Sequence, residues 1–128
     1  MTTIPTIAII DDDEYIRIAL HLLVTSLEYN AVVFASATDF LQSDELKRTS
    51  CVISDVRMPV MSGIQLQARL RGEGYEIPII FITAVPEESV RQQAFDDGAI
   101  AVLNKPLDDQ ALISCLEDAM TRAPRREP

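Results

Sequence analysis

Histidine occurs once in these 128 residues, cysteine twice and glycine four times, and basic side chains are outnumbered 11 to 20 by acidic ones. Each shortage removes a class of function. Cys51 and Cys115 have no framework spacing, which excludes a disulfide-stapled secreted scaffold. Each sits within an apolar pattern, as small buried thiols do. Gly63, Gly72, Gly74 and Gly98 form no phosphate-cradling motif, so Walker and dinucleotide-binding loops are excluded. A net charge of -9 leaves no electrostatic footprint for nucleic acid or anionic lipid, all the more because Arg122, Arg125 and Arg126 crowd the C-terminal end. No apolar stretch approaches membrane-spanning length, and the first residues lack a charged segment followed by an apolar one. A cytoplasmic protein without membrane or direct nucleic-acid contacts is expected. The single histidine, His21, falls opposite the apolar stripe of its helix and reads as a surface residue.

What is present is a regular alternation, without internal repeat or low-complexity segment. At 48% hydrophobic content the chain can build one ordinary core. Thr6–Ile10 reads as a strand, and Ile16, Ala19, Leu20, Leu23, Val24 and Leu27 follow the spacing of an amphipathic helix. A strand over Ala31–Phe34 precedes a short helix capped by Ser36 and carrying Ala37, Phe40 and Leu41. Cys51–Ser54 is the third strand. Pro59 disfavours helix at Met58, so residues 56–61 form a loop before a helix capped by Ser62, with Ile64, Leu66, Ala68 and Leu70 as its apolar set. Ile77–Ile82 is a buried strand. Pro86 suits the first turn of a helix reaching about Asp97, with Gly98 just past its end. A fifth strand, Ile100–Leu103, and a last helix from about Asp108 complete five strand–helix units. Such units demand right-handed crossovers and a parallel sheet covered on both faces. Five are too few to close an eight-stranded barrel, so the fold class is α/β with an open doubly wound sheet. Residues 1–122 form one domain, and 123–128 read as a linker or disordered tail.

Four of the apolar runs stop at a chemically useful side chain: Asp11 and Asp12, Asp55, Thr83 and Lys105. Parallel strands would bring all of them to one rim, where ligands of open α/β sheets bind. Crowded carboxylates repel, and a divalent cation resolves the conflict; magnesium suits a shallow acidic cup that supplies one or two carboxylates. An Asp55 oxygen could then attack a phosphoryl group, with Lys105 neutralising phosphoryl oxygens and the Thr83 hydroxyl donating at the opposite edge. Asp13 and Glu14 read instead as solvated acids at a helix N-terminus, where the macrodipole favours them. Met58 and Met61 read as packing residues, and Asp96 and Asp97 as exposed charge.

The segments Ile9-Ile10-Asp11-Asp12-Asp13, Ser54-Asp55-Val56-Arg57-Met58-Pro59 with Met61-Ser62-Gly63, Phe81-Ile82-Thr83-Ala84 and Asn104-Lys105-Pro106 together resemble the receiver domain of two-component response regulators. The resemblance spans nearly the whole chain. It implies a flavodoxin-like five-stranded sheet of order 2-1-3-4-5 with five helices. By position it makes Asp55 the phosphoacceptor, Asp11 and Asp12 the acidic pair that places Mg2+ (with Mn2+ as a substitute), and the Arg57 backbone carbonyl a further metal ligand. Thr83 and Lys105 match the switch hydroxyl and the phosphoryl-binding lysine, and Lys105-Pro106 is expected to be cis. A sensor histidine kinase is the implied partner, and the face of the fourth helix, fifth strand and fifth helix is the candidate homodimer surface. Such a domain is a phosphoacceptor, not an enzyme beyond self-phosphorylation from small donors and autodephosphorylation. The wording of residues 56–63 resembles receivers joined to LuxR-type helix-turn-helix output domains, so the chain is either a stand-alone receiver or the first part of a longer regulator.

Two positions depart from the family pattern. Val102 stands where an aromatic is common, and Val85-Pro86 follows Thr83-Ala84 where flexible residues are frequent. They keep open a phosphate-independent interaction module of the same fold. A phosphatase of the haloacid-dehalogenase type, with Asp11 as nucleophile and Asp13 beside it, is a third reading, but it leaves the position of Asp55 unexplained.

Overall fold

The computed structural model describes residues 4–122; the tail over 123–128 lies outside the described residues. Five parallel strands, β1 (Thr6–Ile10), β2 (Asn30–Phe34), β3 (Thr49–Asp55), β4 (Ile79–Thr83) and β5 (Ala101–Asn104), form one sheet in the order β2-β1-β3-β4-β5. Helices α1 (Glu14–Ser26), α2 (Ala37–Leu41), α3 (Gly63–Gly72), α4 (Glu88–Asp96) and α5 (Asp109–Arg122) connect or follow them, with one 3₁₀ turn at Leu46–Arg48. The expected flavodoxin-like order is thus observed.

Alternation along the strands divides the core in two. Ile7, Ile9, Cys51, Ile53, Ile80 and Ile82 point to one face, where Leu20 and Val24 of α1 and Leu112, Leu116 and Ala119 of α5 cover them. Ala8, Ile10, Val52, Ile79, Phe81 and Val102 point to the other, under α2, α3 and α4. This two-sided burial is why the strand sequences read as continuous apolar runs. Cys51 is buried, and desolvation pushes its thiol up to about 12, so it packs as an inert small hydrophobe.

Local chemistry sets the helix ends. Asp13 caps α1, its side chain accepting from the Tyr15 and Ile16 N–H groups. Ser62 and Gln65 form a reciprocal capping box at α3. Several expectations shift, β5 among them, which runs Ala101–Asn104 rather than Ile100–Leu103. Strand β4 begins at Ile79 rather than Ile77; Pro78 contributes only its carbonyl, to Val52 N–H at 2.9 Å. Helix α4 begins at Glu88, so Pro86 lies in the preceding loop and not in a first turn. On α3 the buried positions are Gly63, Leu66, Gln67 and Leu70, whereas Ala68 is exposed. They keep helical spacing, but a glycine and a glutamine occupy two of the core-facing places.

Candidate functional site

The strand register brings the four chemical ends to one level. Ile10 lies beside both Phe34 and Ser54, Asp55 beside Ile82, and Thr83 beside Asn104. Asp11 and Asp55 flank the boundary between β1 and β3, where the strand order reverses, which is the switch point beside which ligands of such sheets bind. The loops then hold each other. Asp11 N–H donates to Phe34 O, Val56 N–H to Ile82 O and Lys105 N–H to Thr83 O.

Asp11, Asp12 and Asp55 each offer an oxygen within 4.8 Å of the others. Asp11 is fully buried, Asp55 is 7% exposed, and Asp12 is exposed at the mouth. Lys105 Nζ lies 3.2 Å from Asp11 Oδ2 and 3.4 Å from Asp55 Oδ2, bridging the two. Three carboxyl groups face one ammonium, so the site is short of positive charge. Burial, then the Asp11 charge, hold the Asp55 carboxyl above the usual carboxylate range, against Lys105 and a hydrogen bond from the Arg57 backbone N–H. Burial pulls Lys105 down, but Asp11 and Asp55 outweigh it, so its ammonium is held above the ordinary lysine value. This hard, oxygen-only and over-negative donor set fits a small divalent cation better than a soft one.

Thr83 is buried at the rim, and its hydroxyl is engaged within its own loop: it donates to Val85 O at 3.1 Å and accepts from Val85 N–H at 3.2 Å. The Lys105-Pro106 peptide is cis. The Arg57 side chain turns away from the carboxylates and pairs with Glu87, linking the loop after β3 to the start of α4. Asp13, the carboxylate a dehalogenase-type reading would use beside Asp11, is committed to capping α1.

Val102 is buried in the core, and a hollow of about 260 Å³ lies next to it, bounded by Thr83, Val85, Pro86, Val90 and Arg91. Arg91 spans from α4 to β5, its Nη1 donating to Val102 O at 3.0 Å while its guanidinium lies 5.1 Å from the centre of the Phe95 ring.

The supporting roles of three residues escaped the sequence reading. Gly63 packs so closely that a Cβ would fall 2.4 Å from Asp55 O and 2.9 Å from the Phe81 ring. Ser54 Oγ donates to Asp55 O at 2.9 Å. Arg17 Nη1 donates to Asp11 O at 2.8 Å. Ser54 and Gly63 fall within the segments that carry the family resemblance, whereas Arg17 left no trace in the sequence.

Comparison with known proteins agrees with this geometry. The family model for the response regulator receiver domain matches residues 7–117. The transcriptional regulatory protein TdiR of Thauera aromatica is 36% identical over 115 residues, covering 90% of this chain and 51% of TdiR. FixJ of Bradyrhizobium diazoefficiens is 34% identical over 123 residues, covering 96% of this chain and 60% of FixJ. The chain thus spans little more than half the length of the curated relatives it matches. The crystal structure of FixJ-N superposes with a TM-score of 0.87 at 29% identity, covering 98% of this chain and 100% of that one. Response regulator StyR gives a TM-score of 0.86 at 36% identity, over 93% of this chain and 60% of StyR. With the acidic trio, the bridging lysine and the 2-1-3-4-5 sheet all in place, this chain belongs to the receiver domain family of two-component response regulators.

Proposed function

We propose that Asp55 is the phosphoacceptor of this receiver and that residues 1–122 constitute the phosphorylated domain. The reading rests on one observation: Lys105 bridges Asp11 and Asp55 at the rim where the strand order reverses. Receivers take their phosphoryl group from sensor histidine kinases, and a cytoplasmic kinase module is the partner this site would serve. An Asp55 carboxylate oxygen forms a bond to phosphorus as the bond from phosphorus to the donor imidazole nitrogen breaks. The departing imidazole keeps that electron pair and takes up a proton. Asp11, Asp12, Asp55 and the Arg57 carbonyl would hold Mg2+, with Mn2+ as a substitute. The cation supplies charge neutralisation for the phosphoryl oxygens.

Lys105 is already poised between two carboxylates and can follow the new charge with a short swing. Thr83 must first give up its bonds to Val85, so its move toward the phosphoryl group rearranges the loop leading into α4. Here the departure at Val102 matters. A valine has one preferred rotamer and little to swing, so the signal passes through the loop and the Arg91 tie between α4 and β5 rather than through an aromatic ring. The face of α4, β5 and α5 is the proposed homodimer surface, and residues 123–128 the proposed linker.

Labelling with acetyl phosphate in the presence of magnesium, read by intact-protein mass spectrometry, tests the reading. A single phosphoryl adduct is expected, lost without the metal and absent in Asp55→Asn. Adduct formation surviving in Asp55→Asn would overturn it. If beryllofluoride changes neither the α4 amide resonances nor the oligomeric state, the phosphate-independent module is the correct reading.

A further inference from the structure

Arg17 is a cation in a place that local electrostatics does not favour. It lies in the first turn of α1, at the positive end of the helix dipole, where acids rather than guanidinium groups are stabilised. The acidic trio is near, yet among the described residues Arg17 forms a salt bridge with none of its members. Its Nη1 donates instead to a main-chain oxygen, that of Asp11, at 2.8 Å, and its side chain is half-buried.

That oxygen belongs to the peptide joining Asp11 to Asp12. A peptide is planar, so holding its oxygen sets the direction in which the chain leaves for Asp12. Asp11 itself is fixed by other bonds as well. It is fully buried, its N–H donates to Phe34 O at 3.2 Å, its Oδ1 accepts from the Asp13 N–H at 2.8 Å and its Oδ2 from Lys105 Nζ at 3.2 Å. Asp12 is the opposite case: it is exposed, and among the described residues no donor reaches its carboxylate. Its place in the trio, with an oxygen within 4.8 Å of those of Asp11 and Asp55, is therefore set by the main chain, and the side chain that holds this main chain is Arg17.

We propose that Arg17 is a positioning residue for the divalent cation: by holding the Asp11 carbonyl it keeps the Asp12 carboxylate at the mouth of the cup. The proposal rests on the phosphoacceptor reading, in which that cation is Mg2+. It fixes the sign of an effect. A positive charge beside the cup repels a cation, so on charge alone the loss of Arg17 would tighten Mg2+ binding. Loss of the bond to Asp11 O loosens it in spite of the relieved repulsion.

Titration of magnesium chloride into the uniformly 15N-labelled full chain, followed by the amide resonances of Asp12, Asp55 and Arg57, reads the affinity without any phosphodonor. Arg17→Met, which keeps an unbranched stem but neither donor nor charge, is expected to bind Mg2+ about tenfold more weakly than the wild type, as when a group that orients a metal ligand is removed. Arg17→Lys, which can still donate to the carbonyl, is expected to recover most of that loss. Should Arg17→Met fail to fold, Arg17→Gln, uncharged and shorter, takes its place with the same expectation. An affinity unchanged or raised in the uncharged variant, or a lysine variant as weak as the uncharged one, would overturn the role of Arg17 and leave the phosphoacceptor reading standing. Wild-type amides that do not shift saturably with Mg2+ would overturn both.

Discussion

The two faces of the sheet are built differently. On the side of α1 and α5, Ile7, Ile9, Ile53, Ile80 and Ile82 meet Leu20, Val24, Leu112 and Leu116, all at most 2% exposed. On the side of α2, α3 and α4, a buried glutamine interrupts the core, a valine sits beside a hollow, and a second hollow opens between α3 and α4. Helix α4 buries only Ala94 fully and is tied to its neighbours by Gln67 and Arg91 hydrogen bonds to backbone carbonyls. Segments with few buried apolar contacts occupy the low-stability end of a fold, from which moving elements are drawn. Asp11 and Asp55 thus stand on well-packed strands, and α4, the thinly buried edge of the other face, is the element able to report what happens to them.

Paired truncations test that contrast most directly. Leu116→Ala on the α5 side should cost about 2–5 kcal/mol, whereas Val90→Ala on α4 should cost only about 1 kcal/mol, both measured by urea denaturation. Equal costs would erase the distinction between the faces. Gly63→Ala probes a close approach between α3 and the end of β3: a Cβ meets Asp55 O and Phe81, so a loss of about 1–3 kcal/mol is expected, with slower acetyl phosphate labelling. Retained stability and labelling rate would show that the contact is soft.

The smallest effect sharpens the contrast at the rim itself. An acid whose folded value is raised binds its proton more tightly folded than unfolded. Stability is therefore full below the ordinary value of 3.8, falls as pH rises from there through the raised folded value of Asp55, and stays reduced at neutral pH. With divalent cations chelated, Asp55→Asn should melt higher than the wild type at neutral pH, and the advantage should vanish as pH falls toward 3.8. Added magnesium should raise the wild-type midpoint more than that of the variant. A variant that melts lower at neutral pH would show that the Lys105 pairing outweighs the burial of the charge.

Much of this was legible in the residues. Apolar runs ending at Asp11, Asp55, Thr83 and Lys105 announce the rim, because parallel pairing carries strand ends to a common level whatever the connections do. Capping by Ser62 was equally local and equally readable. Gln67, Arg91 and Arg17 were not, since each acts across a helix crossing or a loop whose distance no periodicity encodes. Gln67 in particular has the helical spacing of a core residue but the composition of a surface one, so pattern reading passed over it in favour of Ala68. Asp97 shows the same limit: read as plain exposed charge, it is half-buried and paired with Arg71.

The backbone around Asp55 carries one last implication. Its carbonyl is gripped by the Ser54 hydroxyl and backed by Gly63, where no Cβ would fit, while the next amide is pinned to β4. The main chain carrying the proposed phosphoacceptor is thus clamped in advance. On the proposed reading a phosphodonor would meet a finished anvil, and differences among donors would arise from how each one docks rather than from how far it can reshape the acceptor.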